Sequence, residues 1–554
     1  MKFSKRLFVL AFIYVTLPLV LYVLRYKVIV PVNLFADDAF YYLDIARNSI
    51  GRHGFTFDGQ FITNGFHPLW QYLLVALSKL HIVDYSNLSE TLVRVFYVNT
   101  LILGLGAAAF CAACTRYLRQ PLLALLTVAP GLFWMLAAPI TAIYFATWYY
   151  ANGMESALAL LCFSVALLLY RPDDSNNLRL TFVAFWLGLA VLARLDDVFI
   201  AASIAIWILL KSSAQERFRK LLALSPIAIM LLAYLIYNRV TVGVFLPLSG
   251  AAKAGLAFGQ NFKWTVRLFL PIITGDLPRV LRVGGFGQLF IESTVRQLQM
   301  LFPAAICAIE LFYVRRRRAS GVAFTFLHAA AIGVILKAAY NFCFVQNLDQ
   351  GLWYYTVSVA IANFILVLWV SRAATQLWPT ALETRLASLR FLALHLLWVL
   401  FTLNIFINAR NQVGSTGHIY ALNNVPLVQA KLKSLGANKV IEIDDGFIGY
   451  VDGVSSVGGL GLVLDREAAA AMKQGRFFDV MYNRGYRVIV SESGYAAIVN
   501  GVVTTRKAGK EAALFKILYS EFDRYNLVPV GGDGTTDQLS YYQLVPANSN
   551  TTAP

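Results

Sequence analysis

The sequence predicts a polytopic α-helical membrane protein of about eleven transmembrane helices with a soluble α/β domain at its C-terminal end. Three observations predict it. Of 554 residues, 58% are hydrophobic and 14% charged, and the mean hydropathy is +0.62, more apolar surface than a soluble core absorbs. Apolar runs approaching the ~20 residues needed to cross a bilayer recur from Leu7 to Asn408. Beyond Asn408 the composition turns mixed and polar, with short β-branched runs.

In chain order the candidate spans are 7–24, 92–114, 121–138, 155–170, 179–194, 198–211, 221–238, 298–314, 321–340, 352–371 and 388–408. Lys2, Lys5 and Arg6 before the first span resemble the start of a signal peptide. No small-residue cleavage site follows, so the segment reads as a retained helix. The run 69–83 carries Lys79 and reads as an amphipathic segment on the interface. The start, Arg116 with Arg119, Arg171 with Arg179, Lys211 to Lys220 and Arg315 to Arg318 fall on alternate sides of successive spans, which makes them cytoplasmic.

That orientation puts the loop 25–91, the segments near 139–154 and 194–197, the loops 239–297 and 341–351, and the tail outside an inner (cytoplasmic) membrane. The net charge of +17 is therefore a topology signal, and nucleic acid is not an expected partner. Cys111, Cys114, Cys162, Cys307 and Cys343 lie in or beside apolar runs and read as buried thiols. There is no P-loop, and GGFG at 284–287 lacks the strand and helix of a dinucleotide fingerprint.

In the tail, VIEI at 440–443 and RVIV at 487–490 predict strands, and Asp465 predicts the N-cap of a helix through Ala468 to Lys473, ending near Gly475. Asn548 to Pro554 reads as a frayed end. The expected division is a transmembrane domain over 1–409, with a first external loop 25–91, and an extracytoplasmic domain over 410–554.

The chemistry-bearing stretch is Ala36 to Trp70. It opens with Asp37 and Asp38, runs through Phe40, Tyr41 and Tyr42 to Arg47 and Asn48, and closes in a Gly-rich turn with His67 before Pro68. Carboxylates beside a bilayer are costly enough to be solvated, paired or functional. The plainer reading is that an Asp caps the helix AFYYLDIARNSI.

DDAFYYLDIARN, followed by GFTFDG and TNGFHPLW, resembles the first external loop of the GT-C superfamily of polyprenyl-phosphate-dependent glycosyltransferases, especially its arabinofuranosyltransferase-like branch. Gly153-Met154-Glu155-Ser156 resembles that family's Gly-Leu-Glu-Thr element. Arg194-Leu195-Asp196 resembles its Arg-Pro-Asp element, with Leu195 in place of Pro, and Leu246-Pro247 with Lys253 resembles the segment that brings a Lys toward the lipid phosphate. In the tail, Asp445-Gly446 with Gly449-Tyr450 and Gly461-Leu462-Val463 resembles the soluble domain of such enzymes, as a fold signature rather than a site.

The resemblance implies a GT-C-like fold and transfer of a sugar, with inversion, from a polyprenyl-phosphate donor to an envelope glycan, lipid or protein acceptor outside the membrane. It implies Asp38 as base with Asp37 in support, Arg194 and Lys253 at the donor phosphate, and substrate contacts from Tyr41, Tyr42, Arg47, Asn64, His67, Glu155, Asp196, Trp353 and Tyr354. A divalent cation (Mg, Mn or Ca) is left open, with Asp37 and Asp38 as its hard oxygen ligands.

Each residue also has a structural reading. Glu155 could cap its own helix, Arg194 could pair with Asp196 or Asp197, Arg47 could pair with Asp44, Lys253 could snorkel, His67 could be a structural hydrogen bonder, and Trp353 and Tyr354 could belong to an interfacial aromatic belt. The alternative function is a transporter or flippase of lipid-linked saccharides, which predicts charges at mid-membrane on broken helices in paired repeats. A third reading is a membrane-anchored receptor working through the tail.

Overall fold

The computed structural model describes residues 5–51, 53–118, 121–127, 151–172, 176–253, 286–317, 324–345, 352–377, 422–443, 446–459, 463–492, 497–499, 502–504, 524–532 and 539–547, with a few isolated positions besides. Two compact units divide the chain. One is Met1–Lys27, Val95–Ala233 and Gly255–Arg410; the other is Val28–Arg94, Tyr234–Ala254 and Asn411–Pro554.

The long apolar runs become helices because a backbone in hydrocarbon must satisfy its own hydrogen bonds, and shorter, more polar helices stand between them. In order these are α1 (Lys5–Tyr26), α2 (Ile29–Leu34), α3 (Asp37–Ile50), α4 (Pro68–Lys79), α5 (Leu88–Cys114), α6 (Ser156–Leu169), α7 (Asn177–Ala193), α8 (Val198–Lys211), α9 (Ala214–Thr241), α10 (Leu248–Lys253), α11 (Phe286–Arg317), α12 (Phe326–Phe344) and α13 (Thr356–Leu377). Among the described residues five helices are long and apolar enough to cross a membrane: Lys5–Tyr26, Leu88–Cys114, Ala214–Thr241, Phe326–Phe344 and Trp353–Ala373.

The expected count of about eleven is therefore not reached there. The runs 155–170, 179–194 and 198–211 are helices of 14, 17 and 14 residues. At 1.5 Å per residue they are about 21–26 Å long, short of a ~30 Å core. The run 298–314 lies within α11. Most of 121–138 and nearly all of 388–408 lie outside the described residues.

In the first unit α6 packs on α7, α8 on α12, and α11 on α12 and α13. Glycine sets the tightest approach: a Cβ on Gly333 of α12 would collide with the Ile200 Cα and come within 2.7 Å of the Phe199 carbonyl oxygen of α8. Small residues allow backbones this close where lipid supplies no hydrophobic drive between helices. Gly333→Val should therefore cost about 1–3 kcal/mol or more, because the obstacle is backbone that cannot rotate away. A lowered unfolding midpoint of the purified full chain in detergent checks it.

At one end of the α11–α12–α13 group a fully buried Glu310 accepts from Trp369 Nε1 at 2.6 Å and from both Arg372 amino nitrogens at 2.8 Å, and faces His328 Nε2 at 3.2 Å. His328 is itself part of a capping box with Thr325 at the start of α12.

In the second unit the tail contributes α14 (Val425–Ser434), β1 (Lys439–Ile443), α15 (Gly446–Val451), β2 (Ser455–Gly458), α16 (Arg466–Lys473), α17 (Phe477–Asn483), β3 (Val488–Glu492), β4 (Ala497–Val499), β5 (Val502–Thr504), β6 (Tyr525–Gly532) and β7 (Leu539–Pro546). The sheet runs β2-β1-β3-β7-β6, with β1 parallel to β2 and β3, and β7 antiparallel to β3 and β6. Alternation sends Val440, Val488 and Val490 to one face, where Val428, Leu432 and Ile448 cover them. Ile441 and Ile489 go to the other, under Ala468, Met472, Phe477, Phe478 and Met481.

Both β-branched runs are thus strands. Asp465 is the N-cap of α16, accepting from Glu467 N–H at 2.9 Å and Ala468 N–H at 3.2 Å, and Gly475 sits at positive φ just after it. The run 69–83 gives α4, whose buried side carries Trp70, Gln71 and Leu74.

Candidate functional site: a carboxylate pair braced by the tail, and a buried charge network

In the second unit Asp37 and Asp38 occupy the first turn of α3, behind Ala36 as N-cap, with no side-chain cap bond. The capping reading is therefore not realised. Both residues are partly exposed at a helix N-terminus, where the aligned N–H groups favour an anion, though Asp37 Oδ1 is buried, and Ala39 to Ala46 are buried.

The tail stands directly behind this turn. A Cβ at Gly446, the first residue of α15, would lie 2.5 Å from the Asp37 carbonyl oxygen and 2.9 Å from the Tyr41 ring. Phe447 packs edge-on against Phe40 at 4.7 Å between centroids, and Tyr450 lies 6.1 Å from the same ring. Asp445, Gly461 and Leu462 lie outside the described residues.

Arg47 forms an ion pair with Asp44, donates to the Tyr450 carbonyl oxygen at 3.0 Å and lies 4.7 Å over the Tyr450 ring. The pairing reading of Arg47 is thus present, with the side chain still about a third exposed, at 35%. Tyr42 braces the loop: its hydroxyl accepts from His67 N–H at 3.1 Å and its carbonyl from Gln71 Nε2 at 3.1 Å. Tyr41 is buried with its ring edge-on to Phe57, 5.3 Å away. His67 stands at the N-cap of α4 without a side-chain cap bond.

Asn64 is buried, and its Oδ1 accepts from Leu248 N–H at 3.0 Å, which ties the loop to α10. Lys253 is the last residue of α10; its side chain lies outside the described residues. The GFTFDG stretch is pinned to the tail as well. Asp58 Oδ2 accepts from the Tyr486 hydroxyl at 3.1 Å, its carbonyl from Ser455 Oγ at 2.6 Å, and Thr63 Oγ1 donates to the Leu464 carbonyl at 2.9 Å.

Asp452, just after α15, is buried and accepts from Ser456 Oγ at 2.6 Å and Val454 N–H at 2.9 Å. Burial pushes its carboxyl up to about 7 despite these hydrogen bonds. An unfolded Asp titrates near 3.9. Between those values the folded state holds the extra proton, so this contribution to stability is full at low pH and is lost as pH rises through about 7. Unfolding of the full chain followed against pH should show that slope over the tail, and Asp452→Asn should flatten it.

The first unit holds a second constellation. Gly153, at φ +75°, turns the chain into α6, and Glu155 stands at the N-cap position with no cap bond. Its carboxylate instead pairs with Arg194, both side chains being essentially inaccessible. Arg194 Nε reaches Asp196 Oδ1 at 3.0 Å and the Tyr354 carbonyl oxygen at 3.2 Å, and the guanidinium lies 4.2 Å over the Tyr354 ring. The structural pairing of Arg194 with Asp196 is present.

Lys337 of α12, fully buried, bridges Asp196 Oδ2 at 3.1 Å and Asp197 Oδ1 at 2.6 Å. Trp353 and Tyr354 are partly exposed, with ring centroids 6.2 Å apart. Sequence reading missed Lys337 and gave Asp197 only as a possible partner of Arg194; the available signal was a lysine inside an apolar run, which is rare unless paired or functional.

Among the described residues no three His, Cys, Asp or Glu side chains group to hold a metal. Asp37 and Asp38 alone would offer two carboxylates, short of the six or more oxygens a Ca²⁺ takes or the octahedral set of Mg²⁺.

No family model and no curated protein matches the chain. Among solved structures it is similar to the oligosaccharyltransferase of Archaeoglobus fulgidus tethered with an acceptor peptide, at 13% identity over 89% of this chain and 70% of that one, with a TM-score of 0.48. It is similar to AglB of the same organism in complex with an inhibitory peptide and a dolichol-phosphate, at 13% identity, 94% and 71% coverage and a TM-score of 0.44. ArnT from Cupriavidus metallidurans bound to undecaprenyl phosphate gives 11% identity, 95% and 97% coverage and a TM-score of 0.46. All three scores are under one half, and these likenesses decide nothing about what the chain does.

Proposed function

We propose that the chain is an integral membrane glycosyltransferase of the GT-C type. It moves a sugar from a polyprenyl-phosphate donor to an acceptor hydroxyl on the extracytoplasmic side of the inner membrane. The observation that carries the reading is the Asp37–Asp38 pair: two partly exposed acidic residues on the first turn of a helix whose residues 39–46 are buried, in a stretch that the charge pattern of the sequence leads us to expect outside.

In the proposed reaction Asp38 accepts the proton of the acceptor hydroxyl as its oxygen bonds to the anomeric carbon. The bond from that carbon to the donor phosphate oxygen breaks with its electron pair leaving on the phosphate, and attack from the opposite face inverts the centre. Asp37 supports Asp38. Lys253, on the helix that Asn64 ties to the loop, neutralises the departing phosphate. Arg194, already held by Glu155 and Asp196, orients Asp196 rather than meeting the phosphate itself.

The full chain in proteoliposomes with a lipid-linked sugar tests this. Product that forms only when an acceptor is present supports transfer; movement of the lipid across the bilayer without a new glycosidic bond would make the protein a transporter. Mass spectrometry of envelope glycans from a strain lacking the protein would name the sugar and the acceptor class.

A further inference from the structure

In the second unit, where α9 ends, two arginines close on one glycine. Arg239, in the last turn of α9, donates to the Gly243 carbonyl oxygen. Arg466, the first residue of α16, lays its guanidinium against Gly243 itself: a Cβ there would stand 2.5 Å from one of its amino nitrogens. Glycine is needed on both counts, since the backbone is at φ +81° and the arginine fills the space a side chain would take.

The nearby acids are already engaged. Asp465 and Glu467, on either side of Arg466 in the chain, both pair with Arg484, whose guanidinium also lies 3.7 Å over the Phe61 ring. Among the described residues no carboxylate contacts Arg239 or Arg466. Two like charges held at one turn repel, and an anion beside them relieves the repulsion. Arg466 also lines a cleft of about 370 Å³ between Phe61 and Ile62 of the first loop, Thr241 and Val242 at the end of α9, and the start of α16.

The surface around this turn is apolar. Val240 and Leu246 are 78% and 63% exposed, and Ile62, Ile236 and Phe245 are exposed as well. Tyr72 of α4 and Tyr237 of α9, both exposed, hydrogen-bond to each other. Because α9 is long and apolar enough to cross a membrane, these side chains continue a lipid-facing helix to its end. Exposed rings, aliphatic side chains and arginines at the end of a span match the interfacial layer of a bilayer.

We infer that the cleft binds the phosphate of a membrane lipid, with Arg466 on the phosphate, Arg239 adding positive potential from the same turn, and the lipid chains along the exposed side of α9. Arginine suits this place because its planar fork donates two hydrogen bonds to one phosphate. Polyprenyl phosphates and diacylglycerol phosphates both carry that chemistry. The inference needs α9 in the membrane and is independent of sugar transfer.

Native mass spectrometry of the purified full chain in detergent, with polyprenyl phosphate, phosphatidic acid or inorganic phosphate added in turn, tests it. Wild type retains a lipid phosphate, and Arg466→Gln weakens its binding roughly tenfold or more, the loss expected when hydrogen bonds to a charged group are removed. Arg466→Lys recovers part of the affinity, since it keeps the charge without the fork. Gly243→Ala weakens binding with both arginines still present, because the new Cβ displaces the Arg466 guanidinium. Arg476→Gln, which removes another exposed arginine of the tail, leaves binding unchanged.

A loss in Arg466→Gln for one lipid alone assigns the site to that lipid, and a loss for both assigns it to lipid phosphates as a class. Equal binding by wild type and Arg466→Gln, an equal loss in Arg476→Gln, or inorganic phosphate bound as tightly as either lipid would overturn the inference.

Discussion

Asp38→Asn should lower the rate of sugar transfer by about 10²–10⁴, the usual worth of general-base assistance, while leaving donor binding close to wild type. The amide keeps the shape of the carboxylate and its place on the first turn of α3, so the fold has no reason to move, yet it has no basic oxygen for the acceptor proton. Asp37→Asn should cost less, because in the proposed reaction it supports Asp38 rather than receiving the proton. Single-turnover transfer with purified protein in lipid nanodiscs separates this chemistry from binding and release. Full transfer by the Asp38→Asn protein would remove Asp38 from the mechanism.

Gly446→Ala should have the second-largest effect, and at a residue outside the first loop. The added Cβ would meet the Asp37 carbonyl oxygen at 2.5 Å and the Tyr41 ring at 2.9 Å. Neither obstacle is the loose end of a side chain: one is the backbone of the carboxylate turn, the other a buried ring. The turn or α15 must therefore shift, and a displacement on the order of 1 Å at a reacting group can cost about 10² in rate.

Gly458→Ala is the control. Its Cβ would face the same Tyr41 ring at 3.8 Å and Val463 at 3.4 Å, ordinary contact, and activity should stay near wild type. Equal activity of the Gly446→Ala and Gly458→Ala proteins would show that α15 does not set the position of Asp37 and Asp38.

Much of the secondary structure was legible because it follows from local rules. Hydrophobic runs marked the long apolar helices of the first unit and α9, and β-branched runs marked β1 and β3, whereas short helices such as α2 and α10 carried no such run. An Asp ahead of an alanine-rich stretch marked the start of α16. The number of crossing helices was less legible, because a hydropathy window does not distinguish a helix of 14 residues from one of 22 when both are uniformly apolar.

The candidate site was legible as an inventory but not as a set of partners. Arg47 could face a groove or pair with Asp44, and it pairs. Glu155 could cap its own helix, and instead it holds Arg194, 39 residues away. Gly446 enters the sequence reading only within a motif that reads as a fold signature, and Lys337 does not enter it at all, although a lysine in an apolar run is rare unless paired or functional.

The sequence by itself determined that this is a helical chain with spans long enough for a membrane, that a polar tail follows them, and where its acidic loop lies along the chain. These depend on composition and periodicity within one stretch. Only the tertiary structure decided that Val28–Arg94 belongs to one compact unit with the tail, and that the turn bearing Asp37 and Asp38 rests on Gly446. It alone decided that the charges of Glu155, Arg194 and Lys337 converge on Asp196. The physical reason is that burying a charge or a bare backbone turn requires a partner, and the chain can supply that partner from any distance along its length.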